Sequence, residues 1–122
     1  MLRRLLAPRP ALWLWAAAML VVASIPGEHL PEFLLLSKDK LLHLVSFGGL
    51  AFLGLRAFPD LPLRIFAAGF AYGVLIELYQ EVMPLGRFAD PYDALANGVG
   101  LLLGLGAGWW AQRRRGPQPR VR

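Results

Sequence analysis

Four apolar stretches, each stopped by proline or by arginines, take up most of this chain. They run from about Ala11 to Ile25, Leu41 to Phe58, Leu63 to Met83 and Tyr92 to Ala111. They stop at Pro26-Gly27, at Pro59, at Pro84 and at the three arginines that begin with Arg113. A segment that crosses the hydrocarbon core of a bilayer needs about 20 apolar residues, within roughly 17–25. The last three stretches meet that length. The first reaches it only if residues near Pro10 join it. No water is available inside the hydrocarbon to satisfy peptide groups, so each stretch is expected to be a helix. Composition agrees: 57% of the 122 residues are apolar and 17% charged, against about 45–50% and about 25% in ordinary soluble domains. A soluble fold of this size has too much surface for its volume to hide such an excess. The expected fold is all-α, one integral membrane bundle of four transmembrane helices over residues 1–122. The chain has no cysteine, which excludes disulfides, a thiolate nucleophile and zinc–thiolate sites.

An even number of spans puts both ends of the chain on one side. That side carries ten arginines (Arg3, Arg4, Arg9, Arg56, Arg64, Arg113, Arg114, Arg115, Arg120 and Arg122) against one acid, Asp60. The opposite side carries Lys38, Lys40 and Arg87 against seven acids. Basic residues near span ends mark the cytoplasmic face, so both termini are expected in the cytoplasm. The net charge of +5 then reports topology, and no nucleic-acid partner is expected. Trp13, Trp15, Trp109 and Trp110 are expected at the cytoplasmic interface, where amphipathic rings settle. Arg3-Arg4, the apolar run and Val21-Val22-Ala23 also resemble a secretory signal peptide. The arginine distribution favours a retained first span.

Glycines inside the spans need a reason. Gly69 and Gly73 are four apart, as are Gly100, Gly104 and Gly108. Small residues at this spacing let helix backbones approach closely in lipid, so all five are expected to pack helices.

The polar residues gather on the side away from the termini. Asp39, Lys40 and His43 open the second stretch; Glu77, Gln80 and Glu81 lie near the end of the third; Asp93 and Asn97 open the fourth, after a loop with Gly86, Arg87 and Asp90. Residues three or four apart share a helix face. Glu77 lies about 9 Å inside the end of its helix at Met83, where a carboxylate facing lipid costs a few kcal/mol or more. Turning Asp39, Lys40, His43, Glu77, Gln80, Arg87, Asp90, Asp93 and Asn97 inward builds a polar pocket in one half of the bundle. Each has a plainer use: Lys40 as a snorkelling side chain, Asp39 and Asp93 as helix caps. Carboxylates with a histidine suit acid–base work. His43, Glu77 and Asp93 could also bind a divalent metal, but there is one histidine in the set and no motif such as H-E-x-x-H. No metal or other cofactor is expected.

The segments DKLLHLVSFGGLAFL (Asp39 to Leu53) and YGVLIELYQEVMPLGRFADPYDALANGVGLLLG (Tyr72 to Gly104) resemble the VanZ-like family of small bacterial membrane proteins. The family's pattern falls on Asp39, Lys40, His43 and Phe47, then Gly73, Glu77 and Gln80, then Gly86, Arg87, Asp90, Asp93, Asn97 and Gly100. The chain departs from it at Phe88-Ala89, where the family often has a small hydroxyl residue. The resemblance implies a bacterial inner-membrane protein linked to resistance against glycopeptides such as teicoplanin, and supplies no reaction. The expected partners are membrane lipid and an amphiphilic envelope molecule, either a lipid-linked cell-wall precursor or a glycopeptide. The competing expectation is a structural or accessory protein whose polar residues only hold the helices together.

Overall fold

The computed structural model describes residues 7–26, 39–84 and 91–115. They form four helices: α1 (Pro8–Ala23), α2 (Asp39–Ala57), α3 (Pro62–Val82) and α4 (Pro91–Arg115). Among the described residues there is no strand, so the all-α expectation stands. α2, α3 and α4 are long and apolar enough to cross a membrane, and α1 is a shorter apolar helix. At 1.5 Å per residue its 16 residues span about 24 Å, against about 30 Å of hydrocarbon.

Proline sets three of the starts. Pro8, Pro62 and Pro91 each occupy the first turn of a helix, where the missing N–H would have had no intrahelical partner. Pro10 sits in the same first turn of α1, so α1 begins three residues before the expected boundary. It ends at Ala23, two residues short of Ile25, where the Ser24 N–H bonds back to Leu20 and Val21 and the Ser24 hydroxyl donates to Leu20 O.

The helices alternate in direction, so the ends of α1 and α3 lie with the starts of α2 and α4. α2 touches all three other helices and packs most extensively on α4, to which it runs parallel. Gly100, Gly104 and Gly108 lie at that contact. A Cβ on Gly100 would stand 2.5 Å from Leu44 O, one on Gly104 would overlap Gly48 O, and one on Gly108 would meet the Leu55 side chain at 3.1 Å. At Gly100 and Gly104 the would-be Cβ meets backbone, so no side chain can yield. Between Arg64 and Glu77 α3 is apolar on every side, and the helix buries one narrow stripe, Gly69, Gly73, Ile76 and Gln80. Leu63, Leu75, Leu78 and Val82 point outward, as lipid-facing positions do in a span. Phe47, Ala51 and Leu101 form the centre of the buried cluster.

The tryptophans divide. Trp13, Trp109 and Trp110 are exposed, with Arg113 and Arg114 stacked over the last two at 4.7 and 4.3 Å from the ring centroids. Trp15 turns toward α2 instead of outward. Its ring lies on Gly49 and its indole N–H donates to Ser46 O at 2.8 Å. Glycine leaves a flat seat on α2, and the ring turns inward to fill it.

Candidate functional site

α2 and α4 start side by side, and each offers two polar residues one turn apart. Lys40 and His43 come from α2, Asp93 and Asn97 from α4, and Glu77 approaches from the last third of α3. His43 Nδ1 lies 2.7 Å from Asn97 Oδ1. The amide oxygen only accepts, so Nδ1 carries the proton and donates. His43 Nε2 then faces Asp93 Oδ2 at 3.9 Å, and Lys40 Nζ stands 3.7 Å from Asp93 Oδ1. Asp93 and Asn97 are 5% and 3% exposed, whereas the Lys40 side chain is 43% exposed. Asp93 lies in the first turn of α4, where the helix dipole favours negative charge.

Packing fixes this arrangement. The His43 ring stacks parallel to Phe47, one turn further along α2. Gly73 on α3 makes room for Asn97: a Cβ there would come within 2.8 Å of the Asn97 amide nitrogen and 3.1 Å of the Phe47 ring. One donor atom each from His43, Glu77 and Asp93 lies within 4.8 Å of the others. Glu77 Oε1 and Asp93 Oδ1 are shielded from solvent.

Two clefts flank the cluster. One, of about 180 Å³, lies between α1, α2 and α3, with His43, Ser46 and Gln80 on its wall. The other, of about 220 Å³, lies between α3 and α4, with Glu77, Glu81 and Asn97. Glu77 and Gln80 therefore open on different clefts. Residues three apart on a helix are about 60° apart around its axis, enough to straddle an edge. Gln80 is buried, and its amide donates to Ala23 O at 3.1 Å, one of the carbonyls that the end of α1 leaves without a helical partner.

Lys40, His43, Glu77, Asp93 and Asn97 are thus brought to one place, with Gln80 beside them. The helix includes Asp39, whose side chain lies outside the described residues, as do Arg87 and Asp90. Sequence reasoning missed several residues that fasten the helices to one another along the bundle. Tyr72 Oη donates to Ala16 O at 2.6 Å, Ser24 and Tyr79 share a hydrogen bond at 2.9 Å, and Gln112 donates to Leu55 O at 3.0 Å. A hydroxyl or amide inside an apolar run was the available signal.

The family model described as VanZ/LLP1 matches residues 9–112, a stretch that takes in nearly all of the four helices. No curated protein and no solved structure matches the chain.

Proposed function

The chain belongs to the VanZ/LLP1 family, and on that premise we propose that the polar end of the bundle binds the head group of an amphiphilic envelope molecule. The observation that carries this reading is the convergence of Lys40, His43, Glu77, Asp93 and Asn97 from three helices at one end of an otherwise apolar bundle. Polar groups cost most where lipid surrounds them, and a ligand that spans the interface uses both the cluster and the clefts beside it. Lys40, half-exposed, holds an anionic group. Asp93, Asn97 and Glu77 accept hydrogen bonds from sugar or peptide. His43 donates, or passes a proton. Arg87, from the sequence, adds a second cation.

The clefts favour one of the two ligand classes. At about 180 and 220 Å³ they fall below the roughly 300–1,000 Å³ that enclose a drug-sized ligand. A glycopeptide is larger still. A lipid-linked precursor inserts only part of itself and leaves its chain along the apolar faces. We further propose that the protein lies in the bacterial inner membrane as one multi-pass domain, with both termini cytoplasmic and the polar end outward. The one-sided arginines support this orientation.

Retention of a polyprenyl-diphosphate-linked precursor by purified protein, read by native mass spectrometry against phosphatidylglycerol, tests the reading. Lys40→Ala and Glu77→Gln should each lower retention at least fivefold in protein that still melts cooperatively. Equal retention in all three proteins would leave the accessory reading, which the Gln80–Ala23, Tyr72–Ala16 and Ser24–Tyr79 bonds favour.

A further inference from the structure

We infer that His43, Glu77 and Asp93 bind one divalent transition-metal ion, a property that goes beyond head-group binding and does not depend on it. The three donors come from three helices, and their ligating atoms lie within 4.8 Å of one another. An ion bound at about 2.1 Å sets its ligands roughly 3.0 to 4.2 Å apart, according to the angle between them. The 3.9 Å between His43 Nε2 and Asp93 Oδ2 already lies in that range. It is too long for an N–H···O hydrogen bond. The widest separation in the set needs to close by under about 1 Å, within reach of a carboxylate side chain drawn to a cation.

The far side of the imidazole supplies an independent observation. His43 Nδ1 donates to Asn97 Oδ1 at 2.7 Å, which keeps a proton on that nitrogen and leaves Nε2 as the atom that gives up its proton to a metal. Nε2 is turned toward Asp93. A metal-ligating histidine almost always donates its other N–H to an oxygen acceptor in this way, which fixes both tautomer and ring direction. Asn97, 3% exposed, has its place guaranteed by Gly73. The residue that orients the imidazole is thus built into the α3–α4 contact.

The donor set also selects the ion. One imidazole with two carboxylates, in a chain without cysteine, disfavours soft Cu(I). The nitrogen ligand favours Mn²⁺, Fe²⁺, Co²⁺ or Zn²⁺ over Ca²⁺ and Mg²⁺, which prefer oxygen alone. Three protein ligands leave at least one coordination position open.

The test uses the full chain, purified in detergent, stripped with EDTA and free of added lipid. Co²⁺ is titrated while its d–d absorption is followed and bound metal per chain is counted. One saturable Co²⁺ per chain is expected. His43→Ala and Glu77→Gln should each weaken binding at least tenfold, and Asn97→Ala should weaken it about 10- to 100-fold, the usual cost of losing such an orienting partner. Asn97→Asp, which keeps an acceptor for Nδ1–H, should restore most of the affinity. His29→Ala, at the chain's other histidine, should change nothing. Absence of saturable binding in the wild-type protein overturns the inference whatever the variants do. So does binding that survives His43→Ala or is lost in His29→Ala. Because lipid is absent, failure here leaves head-group binding standing, and failure of precursor retention leaves the metal site standing.

Discussion

Gln80 shows how one polar residue in a span can serve the bundle and the cluster at once. Its amide closes the end of α1 through Ala23 O, while its side chain helps line the cleft it shares with His43. Removing the donor leaves a buried carbonyl unpartnered, at a cost of about 1–3 kcal/mol. Gln80→Met, similar in volume, should therefore lower the melting temperature in detergent, while folded protein retains the precursor as well as wild type. Loss of retention without loss of stability would instead place the Gln80 amide on the ligand. Glu77, one turn earlier, faces the other cleft. The motif spacing alone read these two residues as one pair. The 60° between them decides which neighbour each meets, and that neighbour is set by tertiary packing.

At the level of elements, the α2–α4 contact governs everything at the polar end, because it sets Lys40 and His43 against Asp93 and Asn97. Lipid supplies no hydrophobic drive to join two helices, so close backbone approach and interhelical hydrogen bonds must do it. Gly104 sits on Gly48 O and Ala51 Cβ, whereas Gly106, two residues on, has nothing within 4 Å of its would-be Cβ. Gly104→Ala should destabilise the bundle by about 1–3 kcal/mol or more through overpacking. Gly106→Ala should be neutral or stabilise by about 0.5–1 kcal/mol, the intrinsic advantage of alanine in a helix. Thermal unfolding of the two variants side by side reads the difference; matching melting temperatures would mean that the contact does not depend on the glycine face. The four-residue glycine spacing announced close packing on α4 but did not name the partner. α2 also carries glycines at 48, 49 and 54, and only the folded register assigns Gly49 to Trp15 and Gly48 to α4.

For the whole molecule, orientation decides which ligands the polar end meets. The chain lacks cysteine, so single cysteines report without background. In intact cells, Leu85→Cys should react with a membrane-impermeant maleimide and Gln118→Cys should not. The reverse pattern would turn the polar end to the cytoplasm and exclude outer-leaflet ligands. The class of fold, and nearly where each of the four helices among the described residues begins and ends, could be read from the chain alone. Those depend on local quantities: apolar length against bilayer thickness, and proline where an N–H is dispensable. The sequence also indicated which polar residues lie near one end, because alternating direction follows from successive spans. Only the folded chain packs α2 on α4, turns Gln80 to α1 and Glu77 to α4, seats Trp15 on Gly49 and sets Asn97 against His43 Nδ1. These depend on which surfaces touch, and in a membrane that choice rests on a few small residues and hydrogen bonds rather than on the apolar pattern, which is nearly uniform around each helix.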